Sequence, residues 1–205
     1  VIITGDTARK ENAREVLEIL SGMAGDFVVA TAGPDLESII AGKGSGAYSF
    51  SEEKNTCIVN FDIGGGTTNI AVFNRGETVD TTCLDIGGRL IKIDEKGNIV
   101  YVFRKIYDIA QDVNVKLELG KKLDEKDARK ISERMAKLIF ESVGLLPRTG
   151  LYEKIVTYKD FRKNNSDIRY FSFTGGVADY IYGKNEGDVF RYNDIGIILG
   201  EEILK

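Results

Sequence analysis

Apolar residues recur along the chain in two periods, and the alternation between them sets the predicted elements. Val1, Ile2, Ile3 and Thr4 form a short β-branched run that reads as a strand. Ala13, Val16, Leu17, Leu20 and Met23 then recur at helical spacing, behind Asp6 or Thr7 as the cap and ahead of Gly22 and Gly25 as the stop. Residues 27–31 read as a second strand. Pro34 suits a first helical position, so a short helix is predicted through Ile40, broken by Gly42, Gly44 and Gly46. Residues 43–55, rich in Gly, Ser and charge, read as a connector or hinge. Residues 56–61 are a continuous apolar run, suited to a strand covered on both faces. Residues 67–73, 77–83 and 90–103 extend this strand cluster, the last folded at a hairpin turn over Glu95, Lys96, Gly97 and Asn98. Residues 104–123 are mixed and partly helical. An amphipathic helix follows over 124–143, with Ala128, Ile131, Met135, Leu138 and Ser142 on its inner face, and Leu145, Leu146 and Pro147 end it. Residues 170–174 read as a strand, Gly175 and Gly176 open a short helix through Tyr182, and Asp194 caps a final helix. Strands and helices in this order predict an α/β chain with a mixed sheet flanked by helices.

Composition narrows the chemistry. The chain has 205 residues, 42% of them hydrophobic, enough for a core. Lys and Arg total 28 against 32 Asp and Glu, a net charge of -4, which argues against a nucleic-acid binder. No apolar run approaches the length of a membrane span. Histidine is absent, which removes imidazole acid–base catalysis, Ser-His and Cys-His nucleophiles and His-ligated metals. Cys57 and Cys83 form no C-x-x-C pair and read as buried thiols of a reduced, cytoplasmic compartment. The chain opens on Val1 without a leader and closes at Lys205 inside a helical pattern, which predicts a piece of a longer protein.

Three glycine motifs carry the candidate chemistry. In the first, strand residues lead to Asp62, then Gly64, Gly65 and Gly66, then Thr67 and Thr68, then a second strand. A bend without side chains at its tip lets successive amides converge on phosphate oxygens. Its glycines tolerate left-handed angles that cost other residues about 1–2 kcal/mol each. Thr67 and Thr68 add hydroxyl donors, and Asp62 would hold Mg²⁺ through water. No Gly-Lys-Ser/Thr follows, so this is not a P-loop, and a strand rather than a helix follows the glycines, so it is not a Rossmann turn. A plain glycine-rich hairpin is the other reading of the same residues. In the second motif, Thr174, Gly175 and Gly176 join a strand to a helix and would admit a ribose and an α-phosphate, or simply allow close packing. The third, Asp85, Ile86, Gly87, Gly88 and Arg89, reads as a turn or bulge in which Asp85 and Arg89 pair. Glu133 and Lys137, four apart on the long helix, suit an exposed ion pair.

These three motifs in this order resemble the second lobe of the actin, sugar-kinase and heat-shock-chaperone ATPase superfamily. Asp62 to Thr68 looks like its second phosphate motif, and Thr174 to Ala178 like its adenosine motif. The strings over 1–13 and 28–38 further resemble the ethanolamine ammonia-lyase reactivating factors. The resemblance implies a partial ribonuclease H-like, actin-type ATPase fold, with residues 1–46 ending the first lobe and residues 47–205 forming the second. It implies a chaperone-like, ATP-dependent factor of ethanolamine utilisation that releases damaged cobalamin from the adenosylcobalamin-dependent lyase. ATP or ADP with Mg²⁺ would be the cofactors, cobalamin would stay on the partner lyase, and a homo-oligomer is allowed. Carried over, Gly64, Gly65, Gly66, Thr67 and Thr68 would contact phosphates, and Asp62 would organise Mg²⁺ and the attacking water. Gly175 and Gly176 would face the ribose and α-phosphate, with Glu133 and Lys137 as neighbours of the adenosine. The superfamily's first phosphate motif has no counterpart here, so weak nucleotide binding and little hydrolysis are expected of this segment alone. A small-molecule kinase or an actin-like assembly ATPase of the same superfamily is the alternative.

Overall fold

The computed structural model describes residues 2–3, 15, 18–19, 30–31, 33–157, 160–161 and 167–205. Its strands are β1 (Ile2–Ile3), β2 (Ala30–Thr31), β3 (Cys57–Ile63), β4 (Thr68–Asn74), β5 (Glu77–Leu84), β6 (Ile91–Ile93), β7 (Ile99–Val102) and β8 (Ile168–Thr174). Its helices are α1 (Pro34–Gly44), α2 (Ala47–Glu53), α3 (Ile106–Asp112), α4 (Glu125–Ser142), α5 (Gly150–Ile155), α6 (Ala178–Tyr182) and α7 (Gly196–Leu204). Most of the helix expected over 13–23 lies outside the described residues, as do its cap and most of the strand over 27–31. The described ends of that region pair in parallel, Ile2 with Ala30 and Ile3 with Thr31.

The main sheet has the order β5-β4-β3-β8, with β3 antiparallel to β4 and parallel to β8. It is the mixed sheet flanked by helices that the α/β pattern predicts. Alternation along β3 divides its side chains between two layers. Cys57, Val59, Phe61 and Ile63 enter the large core with Ile131, Met135 and Leu138 of α4 and Ile198 and Leu199 of α7. Ile58 faces the other way, into a smaller cluster with Ala71, Phe73 and Ala47. A strand buried on both faces needs no polar alternation, which is why residues 56–61 read as a continuous apolar run. The long helix is close to its expected bounds, and the Asp124 carboxylate accepts the amide of Lys126 at 3.0 Å as its cap. Ser142, the odd residue on its inner face, is buried and donates to the carbonyl of Ile139 at 2.6 Å.

Two local expectations change. Helix α1 runs through Gly42 to Gly44 instead of stopping at Ile40. Gly42 is there because a Cβ would fall 2.2 Å from Cε2 of Phe73, so the missing side chain lets the helix settle on the sheet. The supposed hinge over 43–55 contains α2, entered through Gly46 at φ +82°. Its buried positions are the small Ala47 and Ser51, and Ser51 Oγ accepts the amide of Gly76 at 3.0 Å. Small buried residues leave no apolar stripe for the sequence to display.

The two helical glycines should therefore respond in opposite directions. Gly42→Ala gains about 1 kcal/mol of helix propensity at most, but overpacking against the fully buried Phe73 ring costs about 1–3 kcal/mol. Gly44 has open space around it, so Gly44→Ala gains up to about 0.5 kcal/mol. Urea unfolding should show a lower midpoint for the first and an equal or higher midpoint for the second.

Candidate functional site

The second face of the sheet changes character along its length. At one end lie Ile58, Ala71 and Phe73; at the other, in register across three strands, lie Asn60, Asp62, Asn69, Ser172 and Thr174. The polar end coincides with the carboxyl ends of the parallel pair β3 and β8, where open α/β sheets place ligands. A directed hydrogen-bond chain runs across it. Ser172 Oγ donates to Asn60 Oδ1 at 2.8 Å, Asn60 Nδ2 to Thr174 Oγ1 at 3.1 Å, and Thr174 Oγ1 to Asp62 Oδ1 at 3.0 Å. Every donor in the chain is spent toward the carboxylate, which fixes its orientation. Burial pushes the Asp62 carboxyl above its ordinary range, while hydrogen bonds from Thr174 and Asn69 pull it down less strongly.

Three turns meet beside this end. Gly64 to Thr67 closes on itself, the Gly64 amide donating to the Thr67 carbonyl at 3.0 Å. The Gly88 and Arg89 amides donate to the carbonyls of Gly64 and Gly65 at 3.0 and 2.7 Å, so the second turn clamps the first. Gly87 makes the clamp possible, because a Cβ there would sit 2.5 Å from the Gly65 carbonyl carbon and 2.6 Å from the Gly66 nitrogen. In the third turn Gly175 has φ +81°, and its Cβ would meet the Ile63 carbonyl oxygen at 2.5 Å and Asp62 Oδ1 at 2.9 Å. Among the described residues, the amides of Gly65, Gly66, Thr67 and Gly176 donate to nothing. Gly64, Gly65, Gly88, Arg89 and Gly176 border a cavity of about 460 Å³, walled further by Val177, Tyr180, Tyr192, Asp194 and Gly196.

The predicted residues are distributed unequally around this cavity. Gly64, Gly65 and Gly176 line it, and Gly66 and Thr67 complete the same turn. Gly64 and Gly65 do not adopt left-handed angles; bareness at the tip, not backbone handedness, is what they contribute. Asp62 is not a lining residue, its carboxylate lying instead against Gly175. Thr68 is buried and its hydroxyl donates to the Ile86 carbonyl at 2.8 Å, so it braces the turn instead of offering a donor. Glu133 and Lys137 pair with each other at 2.6 Å, both about half exposed on α4, and neither lines the cavity. The expected pairing of Asp85 with Arg89 gives way to two others, Asp85 with Lys105 at 2.6 Å and Arg89 with Asp194 at 3.2 Å.

A family model described as ethanolamine utilisation protein EutA matches residues 1–205. The chain belongs to the EutA family. It is 38% identical over 207 residues to the ethanolamine ammonia-lyase reactivase EutA of Salmonella typhimurium. It is 37% identical over 213 residues to the reactivase of the same name from Escherichia coli. Both comparisons cover 97% of this chain and 42% of the relative, so the chain spans about two fifths of the length of these curated EutA proteins. Among solved structures, the Aquifex aeolicus member of the Ppx/GppA family is similar with a TM-score of 0.49 at 15% identity, covering 99% of this chain and 63% of that one. The family match upholds the resemblance to the reactivating factors carried by the strings over 1–13 and 28–38.

Sequence reasoning named Arg89 and Asp194 but missed that they wall the EutA cavity together with Tyr180 and Tyr192. Arg89 precedes Asp194 by 105 positions and reaches it, Tyr180 and Tyr192 only because the Gly88 turn packs against Val177 and Gly196. The one available signal was the Gly87-Gly88 pair, which reads as a simple turn until its neighbour in space is known.

The glycines of the third turn should separate cleanly. Gly175→Ala should cost about 2 kcal/mol or more, from the left-handed angle and the clash with Ile63. Gly176→Ala, with nothing within 4 Å, should stay within about 0.5 kcal/mol of the parent in chemical unfolding.

Asp62 predicts a pH dependence of definite sign. A carboxyl whose pKa is raised by folding favours the fold while protonated and loses that contribution as pH rises through its titration. Asp62→Asn carries no charge, so it should raise Tm at neutral pH. The gain should shrink as pH falls through the carboxylate range, and a pH-independent difference between the two proteins would contradict the assignment.

Proposed function

We propose that this chain is the nucleotide-cradling part of a reactivase that acts on ethanolamine ammonia-lyase. The observation that carries the reading is the set of amides at Gly65, Gly66 and Thr67, unspent among the described residues, in a turn that borders the same cavity as Gly176. Amides held in this way suit phosphate oxygens. The order of motifs supports an actin-type ATPase lobe, in which the Gly64 to Thr67 turn takes phosphates and the Gly175 turn takes the ribose and α-phosphate. The aromatic walls Tyr180 and Tyr192, with ring centroids 6.0 Å apart, are chemically suited to a base.

Mg²⁺ fits the donor set, because it binds through one or two carboxylates, retained waters and substrate phosphates. Asp62 is a single oriented carboxylate, and among the described residues no group of three acidic or thiol side chains forms a cage. Bound with the nucleotide, the ion would neutralise phosphate charge, with Asp62 holding its waters. The curated relatives, each named a reactivase of that enzyme, support the activity on the lyase. In this reading ATP and ADP favour different conformations of the factor, since a nucleotide shifts a population only through differential contacts. The expected consequence is release of damaged cobalamin from the lyase, so that intact coenzyme can enter.

The test uses a polypeptide of full family length carrying this segment. Incubation with cyanocobalamin-blocked lyase, ATP, Mg²⁺ and fresh adenosylcobalamin should restore deamination of ethanolamine, and no recovery rejects the proposal. Gly65→Val places bulk at the exposed tip, where its first contact is the flexible stem of Arg89 at 3.3 Å. It should abolish ATP binding by calorimetry, and with it recovery, while the circular dichroism spectrum stays that of the parent.

A further inference from the structure

We propose that Arg89 reads the phosphate charge of a bound nucleotide, exchanging its partner Asp194 for the phosphate oxygens. The inference rests on the phosphate reading above and adds a residue to it. The Arg89 stem lies along the bare Gly65 tip: a Cβ on Gly65 would be 3.3–3.5 Å from its Cδ, Cβ and Cγ. The Arg89 amide is anchored to the Gly65 carbonyl at 2.7 Å, so the root of the side chain is fixed to the cradle itself. Its guanidinium is held only through Nε, 3.2 Å from Asp194 Oδ2, and among the described residues its terminal amino groups donate to nothing. That contact is longer than the roughly 2.7–2.9 Å of a strong charge-assisted bond. The Arg89 side chain is 67% exposed, and such a pair contributes little to stability. A phosphate offers two or more oxygens and more charge than a carboxylate, and the planar fork of arginine can engage it bidentately. The competition at this position therefore favours the ligand.

The exchange has a second consequence, because Asp194 also starts α7. Its Oδ1 accepts the Gly196 amide at 2.9 Å, and the Gly88 carbonyl accepts the Ile195 amide at 3.1 Å. Residues 87–89 thus connect the phosphate turn to the beginning of α7. When Arg89 turns to a ligand, the largely buried Asp194 keeps its contact with the helix amide and loses its cation. Occupied and empty sites then differ in the contacts at one helix end, which is the condition for a ligand to shift a conformational equilibrium. Helix α7 is in turn tied to α4, where Arg129 pairs with Glu201 and Glu202 at 2.9 and 3.2 Å.

Calorimetry on the full-length protein with adenosine, ADP and ATP tests the exchange. Arg89→Gln should weaken ADP and ATP by about tenfold or more and leave adenosine affinity and Tm unchanged. Asp194→Asn, which keeps an oxygen for the Gly196 amide, should tighten ADP binding severalfold in the parent and have no effect in the Arg89→Gln background. Failure of the parent to bind any nucleotide overturns the phosphate reading, and this inference with it. Parent binding with unchanged ADP affinity in Arg89→Gln overturns this inference alone, as does an equal loss for adenosine. An Asp194→Asn gain of the same size in both backgrounds shows direct repulsion of the ligand and overturns the exchange.

Discussion

The site depends on contact between backbones. The Gly87 turn lies against the Gly65–Gly66 peptide, and the Gly175 turn lies against the carbonyl of Ile63, at distances no Cβ could tolerate. Once those contacts form, four backbone hydrogen bonds hold the three turns together: Gly64 to Thr67, Gly88 to Gly64, Arg89 to Gly65 and Val177 to Ile63. They leave the amides at the tip of the first turn with fixed directions and, among the described residues, no partners. A peptide amide deprived of partners is costly when buried, so the arrangement persists only where water or a ligand can reach it. The exposed Gly65 tip meets that condition.

The sheet beneath supplies the rigidity. Odd residues of β3 are locked into the large core, so the even residues Asn60 and Asp62 must face the other layer. There a hydrogen-bonded neighbour stands beside each on β8, Ser172 for Asn60 and Thr174 for Asp62. The register that buries Phe61 and Ile63 therefore also orients the carboxylate. A one-residue slip would send the polar ladder into the apolar core, so packing and site geometry are specified by the same alternation. The raised pKa of Asp62 marks the energetic cost of that placement.

The parts of this structure that were legible in the sequence are those governed by short-range rules. The capped α4 announced itself through Asp124 and the spacing of Ile131, Met135 and Leu138, and the hairpin of β6 and β7 through Gly97, which takes φ +83°. The Gly64 to Thr67 turn was legible because its glycines are contiguous. Helix α2 was not, because its buried residues are Ala47 and Ser51, whose polarity and size carry no helical signature. Gly42 was misread as a stop because its reason is Phe73 on β4, a partner 31 positions away. Thr68 and Arg89 failed in the same sense: a hydroxyl and a guanidinium declare their chemistry in the sequence but not their partners. Ile86 and Asp194 became visible only with the fold.

A net charge of -4 means that the global field does not draw a polyanion to this protein. Any attraction for one has to be local, and local attraction can come from fixed dipoles or from mobile charges. Amides on a clamped turn need no reorganisation when a phosphate arrives, but for the same reason they cannot signal its arrival. A flexible cation can signal, but it loses conformational entropy on binding and needs a partner while the site is empty. This cavity contains both kinds of group: a cradle fixed by Gly87, and one arginine whose root is bonded to that cradle and whose tip rests on the aspartate at the start of α7. In the proposed reading, fixed amides would give recognition, and an arginine able to change partners would couple recognition to a helix. Separating the two roles would let a site so poor in cationic side chains be organised around an anion.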